Sequence, residues 1–125
     1  MKLENLSRCS TVLVGFPFSD LTATKVRPAL VVSPVRLHRR QHDVILAAIS
    51  SVLERGGVAS TSCLLDRDSG EFAGSGLRVT SVVHCGKLVT VQGTLVLKRL
   101  GQLAAPTMLR IDRALAQALG LTASS

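Results

Sequence analysis

Apolar residues along this chain come in short runs, most of them cut off by turn-forming residues before a helix could form. Residues 11–16 (TVLVGF) read as a strand, ended by Pro17, whose missing N–H breaks no ladder bond at that place. Residues 29–33 (ALVVS) are a continuous apolar run of β-branched character, the pattern of a buried strand, closed by Pro34. Residues 43–51 (DVILAAISS) predict a third strand and residues 61–65 a short fourth. Residues 77–91 predict one strand or two, with Gly86 marking a bulge or bend, and 94–97 is the last strand candidate, ending at Lys98 and Arg99.

The intervening segments are polar. Residues 1–10 read as an arm, the strongly basic 35–42 (VRLHRRQH) as a loop between strands, and 53–60, with Gly56 and Gly57, as another loop. The segment DRDSGEFAGSG is rich in turns. After Pro106 the period changes, with Met108, Ile111, Leu115, Ala118 and Leu119 on one helical face. Pro106 suits a first helical turn and Gly120 a C-terminal cap, which predicts a helix over 106–119. Short strands followed by one helix predict a mainly β fold, a small barrel-like sheet that the helix covers.

The length of 125 residues suits a single domain over 1–125. A hydrophobic fraction of 46% predicts a well-buried globular chain. With three Phe and neither Trp nor Tyr, modules that stack bases on aromatic platforms are disfavoured. The net charge of +7 favours a polyanionic partner, nucleic acid or an acidic protein segment. Cys9, Cys63 and Cys85 are scattered and form no C-x-x-C, which fits a reducing cytoplasm better than a disulfide framework. The first ten residues contain no apolar signal-peptide core. No run approaches the roughly 18 apolar residues of a membrane span, so a cytoplasmic location is expected.

The candidate chemistry gathers in the loop between the first two strands. Arg27 stands where that polar loop meets a buried strand, and Pro28 restricts it to extended geometry. A guanidinium held that way offers a planar donor fork matched to phosphate oxygens, or alternatively pairs with Asp20 or Asp43. Thr24 and Lys25 share the loop surface. Ser50 and Ser51 end the third strand, where hydroxyls either bind a phosphate oxygen or cap the next turn. His38, His42, His84 and Cys85 raise metal or acid–base chemistry, but nearby cations and the absence of a carboxylate cluster disfavour a metal, and none is expected. There is no G-x-S-x-G, P-loop or H-E-x-x-H.

The stretches VLVGFPFSDLTATKVRPALVVS, DVILAAISS, GLRVTSVV and VLKRLGQLAAPTMLRIDRALAQALGL resemble, in order and approximate spacing, the PemK/MazF family of toxin endoribonucleases. FPFSD followed by K-x-RPALVVS is the more specific part. The resemblance implies an SH3-like or CcdB-like β-barrel with a C-terminal helix, usually dimeric. It further implies sequence-selective, metal-independent and cofactor-free cleavage of single-stranded RNA, and a cognate antitoxin that blocks the groove. Operator DNA is then a partner only of the toxin–antitoxin complex.

Arg27 matches the family's catalytic Arg, and Ser50 falls where a catalytic Thr is usual. Residues 16–27 correspond to the loop bordering the RNA groove, with Phe18, Asp20, Thr24, Lys25, Pro28, Ser51 and Lys87 as expected RNA contacts. The reaction implied is attack by the substrate 2′-OH on the adjacent phosphorus, leaving 2′,3′-cyclic phosphate and 5′-OH ends. A guanidinium stays protonated far above neutral pH, which suits charge stabilisation rather than proton transfer and leaves proton movement to one of the histidines. Ser50 lacks the methyl that holds a Thr rotamer, so weakened activity is expected. The alternative is a catalytically weak or dead member that binds antitoxin, operator DNA or, like the gyrase poisons, a protein target. The end LTASS has no bulky apolar anchor of the kind that last role needs.

Overall fold

The computed structural model describes residues 6–17, 24–51 and 59–121. The elements are β1 (Ser10–Pro17), β2 (Thr24–Val31), α1 (Val35–Gln41), β3 (Asp43–Ser50), β4 (Ser62–Leu65), β5 (Ser81–Gln92), β6 (Val96–Gln102) and α2 (Ala105–Leu119). Short 3₁₀ turns at Ala73–Ser75 and Gly93–Leu95 precede β5 and β6. All pairings are antiparallel, in the order β4-β5-β3-β2-β1-β6.

The mainly β fold with a C-terminal helix is as predicted, but the barrel is not formed. The sheet stays open, because β4 and β6 are its two edges and do not pair with each other. Each edge meets something else. β4 has only four residues, and its Leu64 carbonyl accepts a hydrogen bond from Arg110 Nη1 on α2 at 3.1 Å. The 73–75 turn lies against β6 so closely that a Cβ on Gly101 would stand 2.3 Å from the Gly74 oxygen. Edges covered in this way do not need closure to escape pairing with other chains.

The continuous apolar runs have their expected cause: the central strands are buried on both faces. One face presents Leu30, Ala47, Ile49, Val83 and Cys85 to α2, which contributes Met108, Ile111 and Ala114. The other gathers Val12, Val14, Ala29, Val31, Val44 and Leu46 with their ladder neighbours Val91 and Val96, and Leu6 packs with them. Leu6 is fully buried, so the lead-in is anchored rather than a wholly polar arm. β5 is one strand with a bulge at Gly86: Ala47 opposes Leu88 while Ala48 opposes His84, leaving Cys85, Gly86 and Lys87 between.

Several local expectations need correction. β2 begins at Thr24 rather than at residue 29, because β1 extends to Pro17 and supplies a ladder partner for each added residue. Residues 35–42 are mostly helix, not loop. No apolar stripe announces α1; it is fastened instead by buried His38. The His38 Nδ1–H donates to the Leu6 carbonyl at 3.1 Å, and Ser33 Oγ donates to Nε2 at 2.6 Å while accepting from the Ile45 N–H at 2.9 Å. The strand expected at 94–97 starts at Val96, after the turn. On α2, Leu119 is 56% exposed instead of lying in the buried stripe, whereas Thr107 is buried and donates to Glu71 Oε2 at 2.5 Å. Gly120 caps the helix at φ 68° as expected.

The close approach of the turn to β6 is testable. Gly101→Ala is expected to destabilise the fold by about 2 kcal/mol or more in denaturant unfolding, since backbone surrounds the added methyl. Gly70→Ala, with nothing within 4 Å of the new Cβ, is expected to change stability little.

A cationic groove at the open end of the sheet

β2 and β3 are joined through only three residue pairs, the last being Ala29 with Ala48. Continuing that register would set Arg27 opposite Ser50, both on the face that carries Ala29 and Ala48. Beyond Ala29 the two strands no longer pair, and a groove of about 670 Å³ opens there. It lies at the end of the ladder and draws on both faces, with Ala48 and Ser50 from the face of the second core and Ile49 and Leu77 from the first.

Lys25, Arg27 and Pro28 form one wall, and Ala48, Ile49, Ser50 and Ser51 the floor. Leu77, Arg78, Val79 and Ser81 form the opposite wall, and Lys87 enters from the β5 bulge. Among the described residues, four cations line the groove and no carboxylate does. A concave surface of one sign concentrates its field and draws anions. Arg27 is exposed and Ser50 half-buried, so both are accessible from the groove.

Of the residues expected in the site, Arg27, Ser50, Lys25, Pro28, Ser51 and Lys87 thus come together. Thr24 opens β2 opposite Pro17, while Phe18 and Asp20 lie outside the described residues. Asp43 is no partner for Arg27, because it begins β3 at the far end, seven residues from Ser50 or roughly 23 Å along the strand. The sequence reading missed the whole 77–81 wall. Residues 77–91 read as strand and GLRVTSVV as part of the family resemblance, and neither marks Arg78 as a groove residue.

The histidines divide by position. His38 belongs to the buried anchor of α1, and His42 takes a left-handed φ of 59° as that helix's C-cap; both lie at the end of the sheet away from the groove. His84 opposes Ala48, on the groove's face, with Nδ1 3.4 Å from Ser62 Oγ. Burial pushes the Cys85 thiol up to about 11 and also raises that of Cys63, so both are neutral thiols and poor nucleophiles. No group of three or more His, Cys, Asp or Glu able to hold a metal occurs among the described residues.

Residues 8–119 match the family model for the PemK-like, MazF-like toxin of type II toxin–antitoxin systems. The chain belongs to that family. No curated protein matches the sequence. Among solved structures, it resembles an endoribonuclease in complex with its cognate antitoxin from a mycobacterial species. The TM-score is 0.75 and the identity 21%, over 94% of this chain and 98% of that one. It also resembles the Mycobacterium tuberculosis toxin MazF-mt6, with a TM-score of 0.71 and 20% identity over 91% and 99% of the two chains. A MazE–MazF structure from Deinococcus radiodurans gives a TM-score of 0.73 at 18% identity, covering 94% and 97%. At such identities these likenesses carry the fold. No described helix is long and apolar enough to cross a membrane.

Thiol accessibility provides a check on the site's surroundings. In the folded protein at pH 8, iodoacetamide is expected to label half-buried Cys9 first, with buried Cys63 and Cys85 reacting only after denaturation. Mass spectrometry of timed digests reads the order.

Proposed function

We propose that the chain is a metal-independent endoribonuclease toxin that cleaves single-stranded RNA in this groove. The observation that carries the reading is that Arg27 and Ser50, at opposite register positions just past the last β2–β3 pair, both line a groove with four cations and, among the described residues, no carboxylate. The substrate 2′-oxygen bonds to phosphorus, the P–O5′ bond breaks, and a 2′,3′-cyclic phosphate and a 5′-OH end result. Arg27 stabilises the charge gathering on the phosphoryl oxygens, and the Ser50 hydroxyl donates to one of them, which fixes the phosphate for in-line attack. Dependence on the 2′-OH restricts cleavage to RNA. Lys25 and Lys87 hold the flanking backbone electrostatically, with Pro28 and Ser51 bordering the phosphate. The proton exchange is assigned to His84, which opposes the groove residue Ala48 in the β3–β5 ladder.

In this reading the protein is a cytoplasmic homodimer whose antitoxin lays an acidic segment along the same groove. Support comes from family membership and from the solved endoribonuclease–antitoxin and MazE–MazF complexes of the same fold. Ser50, lacking a methyl on Cβ, samples more rotamers than a threonine would and holds its hydroxyl less firmly.

Incubation with a long single-stranded transcript in EDTA, with mapping of the ends, tests the proposal. Wild-type protein is expected to cut at a small set of sites and leave cyclic phosphates. Arg27→Ala, folded by circular dichroism, is expected to lose roughly 10²–10³-fold in rate, as for removal of one donor from a charge-stabilising site. Full cutting by folded Arg27→Ala would remove Arg27 from the chemistry. Ser50→Thr is expected to cut several-fold faster and Ser50→Ala slower than wild type; equal rates in all three would show that the hydroxyl is idle.

A further inference from the structure

The wall opposite Arg27 is built as carefully as the wall that bears it, although it consists of a non-strand segment. Residues 77–80 are fastened at both ends. Ser75 is fully buried, its carbonyl accepts from Thr11 Oγ1 at 2.5 Å, and its own Oγ accepts from the Leu77 N–H at 3.1 Å. Gly76 follows in a left-handed conformation, φ 74°, against β6, where a Cβ would stand 2.3 Å from the Leu100 oxygen. At the other end Ser81 Oγ donates to the Val79 carbonyl at 2.8 Å, and Thr80 Oγ1 accepts from the Arg67 N–H at 3.0 Å. A loop tied down at this many points presents its side chains at small ordering cost.

What it presents is an arginine beside an apolar surface. Arg78 is exposed and lines the groove, Val79 beside it is 47% exposed, and Leu77 packs against the core below. Among the described residues no carboxylate pairs with Arg78, whereas Arg8 and Arg110 are paired with Asp112 and Glu71. Arg27 on β2 and Arg78 in the segment leading into β5 both line the groove, and β3, which supplies its floor, lies between β2 and β5. Guanidiniums so separated reach different anionic groups along a chain lying across the β3 end.

We infer that Arg78 is a positioning residue that grips a phosphate other than the one being cleaved, with Val79 against the neighbouring sugar or base, and so sets the register of the RNA strand over Arg27 and Ser50. The inference rests on the endoribonuclease reading of the groove. It makes the two arginines unequal: Arg27 acts on the reacting phosphate, and Arg78 decides which phosphate arrives there.

Two readouts separate this role from a catalytic one. The first is binding of a random-sequence 20-mer of 2′-O-methyl RNA, which cannot be cleaved, followed by fluorescence anisotropy across a salt series. Arg78→Gln is expected to weaken binding roughly tenfold and to lower the slope of log K against log salt by about 0.7, the loss of one single-strand phosphate contact. Arg78→Lys, which keeps the charge without the fork, is expected to keep the slope and recover part of the affinity. The second is cleavage of the mapped transcript, where Arg78→Gln is expected to raise KM about tenfold, hold kcat within about threefold, and redistribute cutting among sites. Unchanged affinity and slope, with wild-type protein active, would overturn the role of Arg78 alone. A collapse of kcat matching Arg27→Ala would overturn it too, by placing both guanidiniums on one phosphate. Wild-type protein that neither binds the 20-mer nor cuts the transcript would take down the endoribonuclease reading, and the assignment of Arg78 with it.

Discussion

The groove exists because the ladder between β2 and β3 ends early. Ala29 and Ala48 make the last pair, and two residues further on the backbones that carry Arg27 and Ser50 have separated. Pro28 sits just past the last pair, where a residue without an N–H removes nothing from the β3 side. On its other side β2 stays paired to β1 all the way to Thr24, so the strand keeps its direction while losing one neighbour. An opening between strands that remain strands is a firmer mount for a side chain than a free loop.

Two further constraints keep that opening in place. On one face α2 holds the β3–β5 pair down through Ile111, Met108 and Ala114. On the other, Leu6 and Leu95 of the turn leading into β6 pack onto the cluster of Val12, Val14, Ala29, Val31, Val44 and Leu46. The edges are occupied by Arg110 and by the 73–75 turn, so the sheet has no need to curl shut and the groove is not closed off by a strand crossing over it.

Much of this was legible in the sequence where burial is two-sided. Runs such as ALVVS and DVILAAISS contain the strand signal in their composition, and the Pro106–Gly120 frame marks the helix unambiguously. What could not be read depended on partners distant in the chain. α1 is held by a histidine bonded to residues 6 and 33, which no local window contains. β2 gained Thr24–Arg27 only because β1 runs on beside it. Closure was expected both from the succession of short strands and from resemblance, yet closure is a property of two edge strands and of whatever lies between them, and short β4 carries no mark of it. The site divided similarly. Arg27 and Ser50 stood at visible strand ends, whereas Arg78 was hidden in a segment whose position follows from Gly76 and Gly101 nesting against each other's chains.

The continuity of the first core with the groove floor has a consequence for recognition. Ile49 belongs at once to the packed interior and to the floor of the opening, so the surface beneath a bound strand is the margin of a packed core. Such a surface has little freedom left to surrender on encounter. Whatever selectivity the groove possesses must then reside in its walls, and the floor works as a fixed datum against which the ligand, rather than the protein, adjusts its shape.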